Sequence, residues 1–152
     1  TPYNKINIHV GGVYGDKQSA LERWCDNFKL LDDNTKSRIT VENDSSKSQY
    51  TVTDLMFIHE QVGIPIVFDY HHHFCHSDGS CPKSELTLAL STWPKDITPI
   101  VHYSESKRLH EGVNVNLAAH STNINNLPNT FGYDFDLMVE SKGKEVSILN
   151  FL

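Results

Sequence analysis

The sequence predicts an α/β fold of repeated strand–helix units built around a parallel sheet or barrel. Five short β-rich runs recur, and marker residues within them (His9, Glu42, Asp69, His102 and Glu140) are separated by 33, 27, 33 and 38 residues. A strand, a crossover helix and two loops occupy ~30 residues, so this is the period of βα units. The runs are also almost continuously apolar, as strands covered on both faces must be. With 152 residues, 38% of them hydrophobic and 21% charged, the chain is expected to form one domain over residues 1–152, with a real core.

Taken in order, the expected strands are Ile6 to Val10, Arg38 to Glu42, Pro65 to Tyr70, Pro99 to Tyr103 and Asp134 to Glu140. Gly11 and Gly12 give the first strand a tight exit, but no phosphate-loop pattern follows, so nucleotide binding is not indicated. Between Lys17 and Leu31, the residues Ala20, Leu21, Trp24, Phe28 and Leu31 recur at helical spacing. In TVTDLMFIHEQVG, Thr53 can cap a helix and Gly63 can end it before Pro65 opens the next strand. Pro82 to Leu90 predicts a shorter helix, and Glu105 to Asn129, rich in Asn and Ser, predicts mostly loop with some helix.

Composition excludes several classes of function. No apolar run approaches the ~18–20 residues of a membrane span. The opening TPYNKINIHV lacks the basic start and apolar stretch of a signal peptide. Three cysteines, Cys25, Cys75 and Cys81, are too few for a disulfide scaffold, so a reducing, intracellular setting is expected. A net charge of −6 argues against coating DNA with bulk positive charge. It leaves open an enzyme that meets phosphate through bound metal. The chain begins at Thr1 without an initiator methionine, and it is expected to be a piece of something longer.

The polar residues that interrupt the apolar runs point to chemistry. His9, Glu42, Asp69, His102 and Glu140 all fall at or near strand C-termini, the edge where active sites assemble in parallel α/β sheets and barrels. Imidazoles and carboxylates together suit Mn²⁺, Zn²⁺ or Fe²⁺, and a bridging carboxylate suits more than one ion. In DYHHH, Asp69 and His72 are placed to serve neighbouring metals as the strand breaks into its loop. At least one of His71 and His73 is expected to face solvent. Cys75, His76 and Cys81 match no common zinc spacing and read as a variable loop. His120, in AAHST, is a further metal candidate from the loop region. Lys142 and Lys144, directly after Glu140, are candidates to hold a phosphate backbone, with a solvated loop as the alternative. Lys5 and Lys17 are further candidates for gripping the DNA backbone.

The strings INIHVGGVYGDKQSAL, RITVENDSSKSQYTVTDL, GIPIVFDYHHH, IVHYS, AAHS and LMVESKGKE run in an order that resembles the UV damage endonuclease family over nearly the whole chain. The resemblance implies a TIM-type (β/α) barrel related to endonuclease IV, here an incomplete one of about five βα units from its C-terminal portion. It implies cutting of damaged duplex DNA on the 5′ side of UV photoproducts and other lesions. The cofactors implied are up to three divalent metal ions, manganese foremost and zinc or magnesium as alternates, in a protein that is monomeric at full length. By the same resemblance Glu42 bridges two metals, and Asp69, His102 and Glu140 complete one of them. His9 is a ligand at the other, and His72 and His120 hold a third. Glu42, Asp69 and Glu140 are thereby the implied catalytic carboxylates. The sequence departs from the family where a metal-ligating lysine stands two residues before the PxxH histidine; here it is Ile100. The rival readings are a divalent-metal sugar isomerase or epimerase of the same barrel type, and an inactive fragment that binds metal or DNA.

Overall fold

A computed structural model describes residues 4–152. The first strand, β1 (Ile6–Ile8), leads through α1 (Lys17–Lys29) and a single turn, α2 (Asp33–Lys36), to β2 (Ile39–Glu42). Then follow α3 (Val52–Val62), β3 (Ile66–Asp69), α4 (Tyr70–Cys75), α5 (Pro82–Ser91), β4 (Ile100–Tyr103), α6 (Lys107–Glu111), β5 (Asp136–Val139) and a 3₁₀ segment at Lys144–Phe151. All neighbouring strands pair in parallel, in the order β1-β2-β3-β4-β5. The sheet curls into a half-barrel with helices between the strands: the βα period predicts the repeated parallel units, and the family resemblance implies the incomplete barrel. No helix among the described residues is long and apolar enough to cross a membrane.

Every α-helix but α5 begins where a side chain accepts from its free N–H groups; α5 instead opens on Pro82, which has no N–H to satisfy. Asp16 accepts from Ser19 N (3.1 Å) to start α1. That helix ends at Lys29, so Leu31, expected on its apolar stripe, lies beyond it and is exposed. The cap of α3 is Thr51, not Thr53: Thr51 and Asp54 form a reciprocal capping box, while Thr53 Oγ1 donates to Glu85 Oε1 (2.9 Å). The sequence offers both threonines, and only Thr51 has an acidic residue three positions on. Gly63 closes α3 in the left-handed conformation at φ 70°, where a side chain would be strained.

The strand registers sort side chains to two faces. Ile39, Val41, Ile66, Phe68 and Val101 point outward and are buried under Leu21 and Phe28 of α1, Leu55 and Ile58 of α3, and Leu86 and Ala89 of α5. Removing a side chain such as Leu55 from water contributes about 1.5–3 kcal/mol. Two side chains tie α5 to the sheet where regular pairing ends: Thr92 Oγ1 accepts from Ile66 N (2.8 Å) and Trp93 Nε1 donates to Ile66 O (2.7 Å). The inner face carries Asn7, Thr40 and Glu42 on the first two strands, Val67 and Asp69 on β3, Ile100 and His102 on β4, and Met138 on β5. Its lower part is apolar, where Ile100 packs with Val67, Trp93 and Ile97. Its upper rim is polar.

Candidate metal centre

The strands deliver their polar residues to that rim together. Glu42, only 4% exposed, occupies the middle. Its Oε1 lies 2.6 Å from His9 Nε2, and its Oε2 lies 2.9 Å from His102 Nδ1. Asn7 Nδ2 also donates to Glu42 Oε2 (2.7 Å), and Thr40 Oγ1 donates to Asn7 Oδ1 (3.1 Å), which anchors the carboxylate from the strand below. Glu140 approaches the same His102 nitrogen from β5, at 3.2 Å. Two sets of donor atoms thus form, each within 4.8 Å of one another: His9 with Glu42 and His72, and Glu42 with Asp69 and His102. Glu42 belongs to both.

Asp69 ends β3 and caps α4: its Oδ1 accepts from His72 N (2.8 Å). The expected loop is therefore a short helix, and the helical turn swings His71, His72 and His73 inward. All three are buried, so the expectation that His71 or His73 faces solvent is corrected. His71 Nε2 donates to Ala118 O (3.2 Å). His120 stands beside this trio, its ring centroid 4.7 Å from that of His71 and 6.0 Å from that of His72. It is brought there by an antiparallel bridge between Ser106 and His120, and its Nδ1 shares a hydrogen bond with Ser104 Oγ (2.7 Å).

The electrostatics follow from this crowding. The carboxylates of Asp44 and Glu42 beside His9 raise its pKa to about 10. Burial opposes charge on His102, but Glu140 and Glu42 outweigh it and raise that pKa to about 9. Glu42 is likewise penalised by burial, yet His102 and His9 hold it well below the ordinary carboxylate range. Glu140 is lowered chiefly by His102. Burial lowers His71 and His120, favouring neutral imidazoles.

The donor chemistry fits divalent metal. Asp69 Oδ2 is buried without a hydrogen-bond partner, an arrangement that protein interiors avoid unless something else satisfies the atom, and His102 Nδ1 meets only the Glu42 and Glu140 carboxylates, in poor hydrogen-bond alignment. Carboxylate oxygens and imidazole nitrogens are the ligands that Mn²⁺ and Zn²⁺ accept. Ile100 adds an apolar side chain to the inner face and no donor.

The lysines divide. Lys142 and Lys144 line an open groove of about 630 Å³ with His120 and Glu140, next to the rim. Gly143 between them is required by close approach, since an added Cβ would stand 2.5 Å from Thr122 O. Lys5 precedes β1, at the opposite end of the sheet, and its Nζ donates to Ser37 O (2.6 Å). Lys17 is engaged with Asp54 (2.8 Å). Cys75 and Cys81 are free thiols, and the neighbouring His76 pairs with Asp78 (3.0 Å).

Sequence reasoning passed over three residues that organise the rim: Asn7, Asn43 and Asp44. Asn7 stands in β1 two positions before His9, and Asn43 and Asp44 directly follow Glu42. That adjacency was the available signal.

The family described as UV-endonuclease UvdE matches residues 1–152. A UV DNA damage endonuclease of Bacillus cereus (strain Q1) is 36% identical over 156 residues, covering 97% of this chain and 47% of that protein. One from Bacillus pumilus (strain SAFR-032) is 38% identical over 152 residues, covering 95% and 46%. The crystal structure of SacUVDE superposes with a TM-score of 0.78 at 33% identity, over 94% of this chain and 48% of that one. The chain spans about half the length of the curated relatives it matches.

Proposed function

This chain belongs to the UV-endonuclease UvdE family, and from that premise we propose that it supplies the C-terminal half of a metal-dependent endonuclease acting on damaged duplex DNA inside the cell. The observation that carries the proposal is Glu42: one buried carboxylate shared by two donor sets, next to a buried Asp69 oxygen that lacks a hydrogen-bond partner. Glu42, Asp69, His102 and Glu140 would hold one ion, His9 with Glu42 a second, and His72 with His120 a third. Manganese suits this mixture of oxygen and nitrogen donors, with zinc or magnesium as alternates. A bound divalent cation supplies Lewis-acid polarisation of a phosphoryl oxygen and lowers the pKa of water.

The chain's own residues do the rest. The carboxylates of Glu42, Asp69 and Glu140 gather negative charge where cations are needed, and the strand ends hold them in register. Lys142 and Lys144 line the groove beside Glu140 and would grip the DNA backbone, fixing its position without reading its sequence. Family membership favours this reading over a sugar isomerase, whose ligands would have the same composition.

Incision of an end-labelled duplex carrying one thymine dimer, with Mn²⁺ and an undamaged control, tests the proposal. The expected product is a lesion-dependent cut on the 5′ side. A chain whose Glu42→Gln variant keeps both its metal content and its cutting would refute the assignment of Glu42.

A further inference from the structure

Two buried residues that nothing above assigns to ligation or catalysis touch three of the candidate ligands. Asn43 is 2% exposed, and its side-chain amide pairs with the backbone of Asp69: Nδ2 donates to Asp69 O (3.0 Å) and Oδ1 accepts from Asp69 N (2.8 Å). These two bonds fasten the end of β2 to the end of β3 just past the last paired residues, Glu42 and Val67. The backbone carbonyl of Asn43 meets His72 Nδ1 at 2.8 Å. A carbonyl only accepts, so Nδ1 must carry the proton, and the lone pair of His72 is left on Nε2.

Asp44, 4% exposed, performs the matching task on the other side. Its Oδ1 lies 2.7 Å from His9 Nδ1, while His9 Nε2 faces Glu42 at 2.6 Å. Its backbone N–H donates to Tyr50 O (2.7 Å), which fixes the loop that carries it. A carboxylate behind a histidine orients the ring and strengthens the opposite nitrogen as a ligand, the arrangement common around protein-bound metals. Asp44 is unlike the surface acids of this chain, for its Oδ2 is buried without a partner.

We propose that Asn43 and Asp44 are the positioning residues of this centre, Asn43 for Asp69 and His72 and Asp44 for His9, and that both histidines present Nε2 to metal. The inference rests on the metal-centre reading given above. It goes beyond it by naming which nitrogen of each ring faces the ion and which residues decide that. A purely structural role would leave stability dependent on these residues but metal affinity and ring tautomer indifferent to them.

The test uses the whole chain. Mn²⁺ binding, followed by the electron spin resonance of the free ion, should weaken by about 10–100-fold in Asp44→Ala. Asp44→Asn retains an oxygen that accepts from Nδ1–H and should recover part of that loss. In the unaltered chain labelled with ¹⁵N-histidine and loaded with Zn²⁺, His9 and His72 should each show a protonated Nδ1. Metallation of either ring through Nδ1 overturns the proposal, as does a folded Asp44→Ala that binds Mn²⁺ with unchanged affinity. Should Asp44→Ala fail to fold, the spectrum of the unaltered chain decides alone. An unaltered chain that binds no Mn²⁺ removes the metal reading and this inference together. Binding without DNA cutting removes only the nuclease activity.

Discussion

Replacing Glu42 by Gln in chelator-treated protein should destabilise the fold, by an amount that depends on pH. In the metal-free chain Glu42 neutralises His9 and His102 at 2.6 and 2.9 Å. His102 is 4% exposed and its pKa rises from 6.5 to about 9, with Glu140 and Glu42 together opposing the burial penalty. At 1.36 kcal/mol per pH unit that rise corresponds to roughly 3 kcal/mol, of which about half belongs to Glu42. The His9 side chain is 43% exposed, so its larger rise is screened and contributes about 1 kcal/mol. The total, about 2–3 kcal/mol, should lower the melting temperature by ~5–10 °C for a chain of this size.

The sign follows from linkage. A histidine whose folded pKa is raised stabilises fully below its unfolded pKa, and that stability is lost as pH rises through about 9 for His102 and about 10 for His9. Seen from Glu42, whose folded pKa is lowered, the same interaction is present above the ordinary carboxylate range and is lost on acidification. The gap between the two proteins should therefore be widest near about pH 6 and close above about pH 10. Circular-dichroism melts across that range make the measurement. Equal melting near neutrality, or a gap that widens in alkali, would refute the electrostatic reasoning.

Three further outcomes are expected. Thr92→Val keeps the shape of the side chain but leaves the buried Ile66 N–H without its acceptor, which should cost about 1–3 kcal/mol in urea unfolding. Gly143→Ala forces a methyl group against Thr122 O and should destabilise by about 1–3 kcal/mol, since the hydrogen bond from Gly143 N to that same oxygen (2.7 Å) prevents the strands of loop from parting freely. Joint replacement of Lys142 and Lys144 by Ala should reduce the salt dependence of binding to damaged duplex by a slope of about 2, measured by fluorescence anisotropy. An unchanged slope would mean that neither lysine meets a phosphate.

Much of this architecture is legible in the sequence, because apolar runs spaced by one βα unit leave little freedom of topology. The five expected strands all occur, each trimmed by a residue or more where pairing stops: Val10, Arg38, Pro65, Pro99 and Asp134 lie outside them. The departures are local. Thr53 and Thr51 are equally good caps by residue type, and Asp54, three positions after Thr51, decides between them by closing the capping box. The burial of His71 and His73 was hidden because Asp69 reads as the end of a strand. In the fold it is also the first residue of a helix cap, and that turn changes where the next three side chains point. His120 reached the rim through a bridge to Ser106, a long-range pairing that a weakly periodic, Asn-rich segment does not announce. Sequence spacing could gather the charged residues at the rim, but the neutral Asn7 and Asn43 carry no chemical signature until their partners are seen.

The strictly sequential strand order has a consequence for how the chain acquires its shape. Every pair of adjoining strands is also adjacent along the chain, so no contact in the sheet waits for a distant segment to arrive. Closing each unit costs a similar, modest loop entropy, because that term grows only slowly with length. Structure can therefore start at any of the junctions between neighbouring strands and spread toward both ends, as in proteins built from stacked repeats. The junction of β2 and β3 is the best seed, where both strands are buried throughout and Ile39, Val41, Ile66 and Phe68 meet under Leu55 and Ile58. The Glu42 and Asp69 side chains would then be brought together early, with the flanking histidines joining as the sheet grows outward.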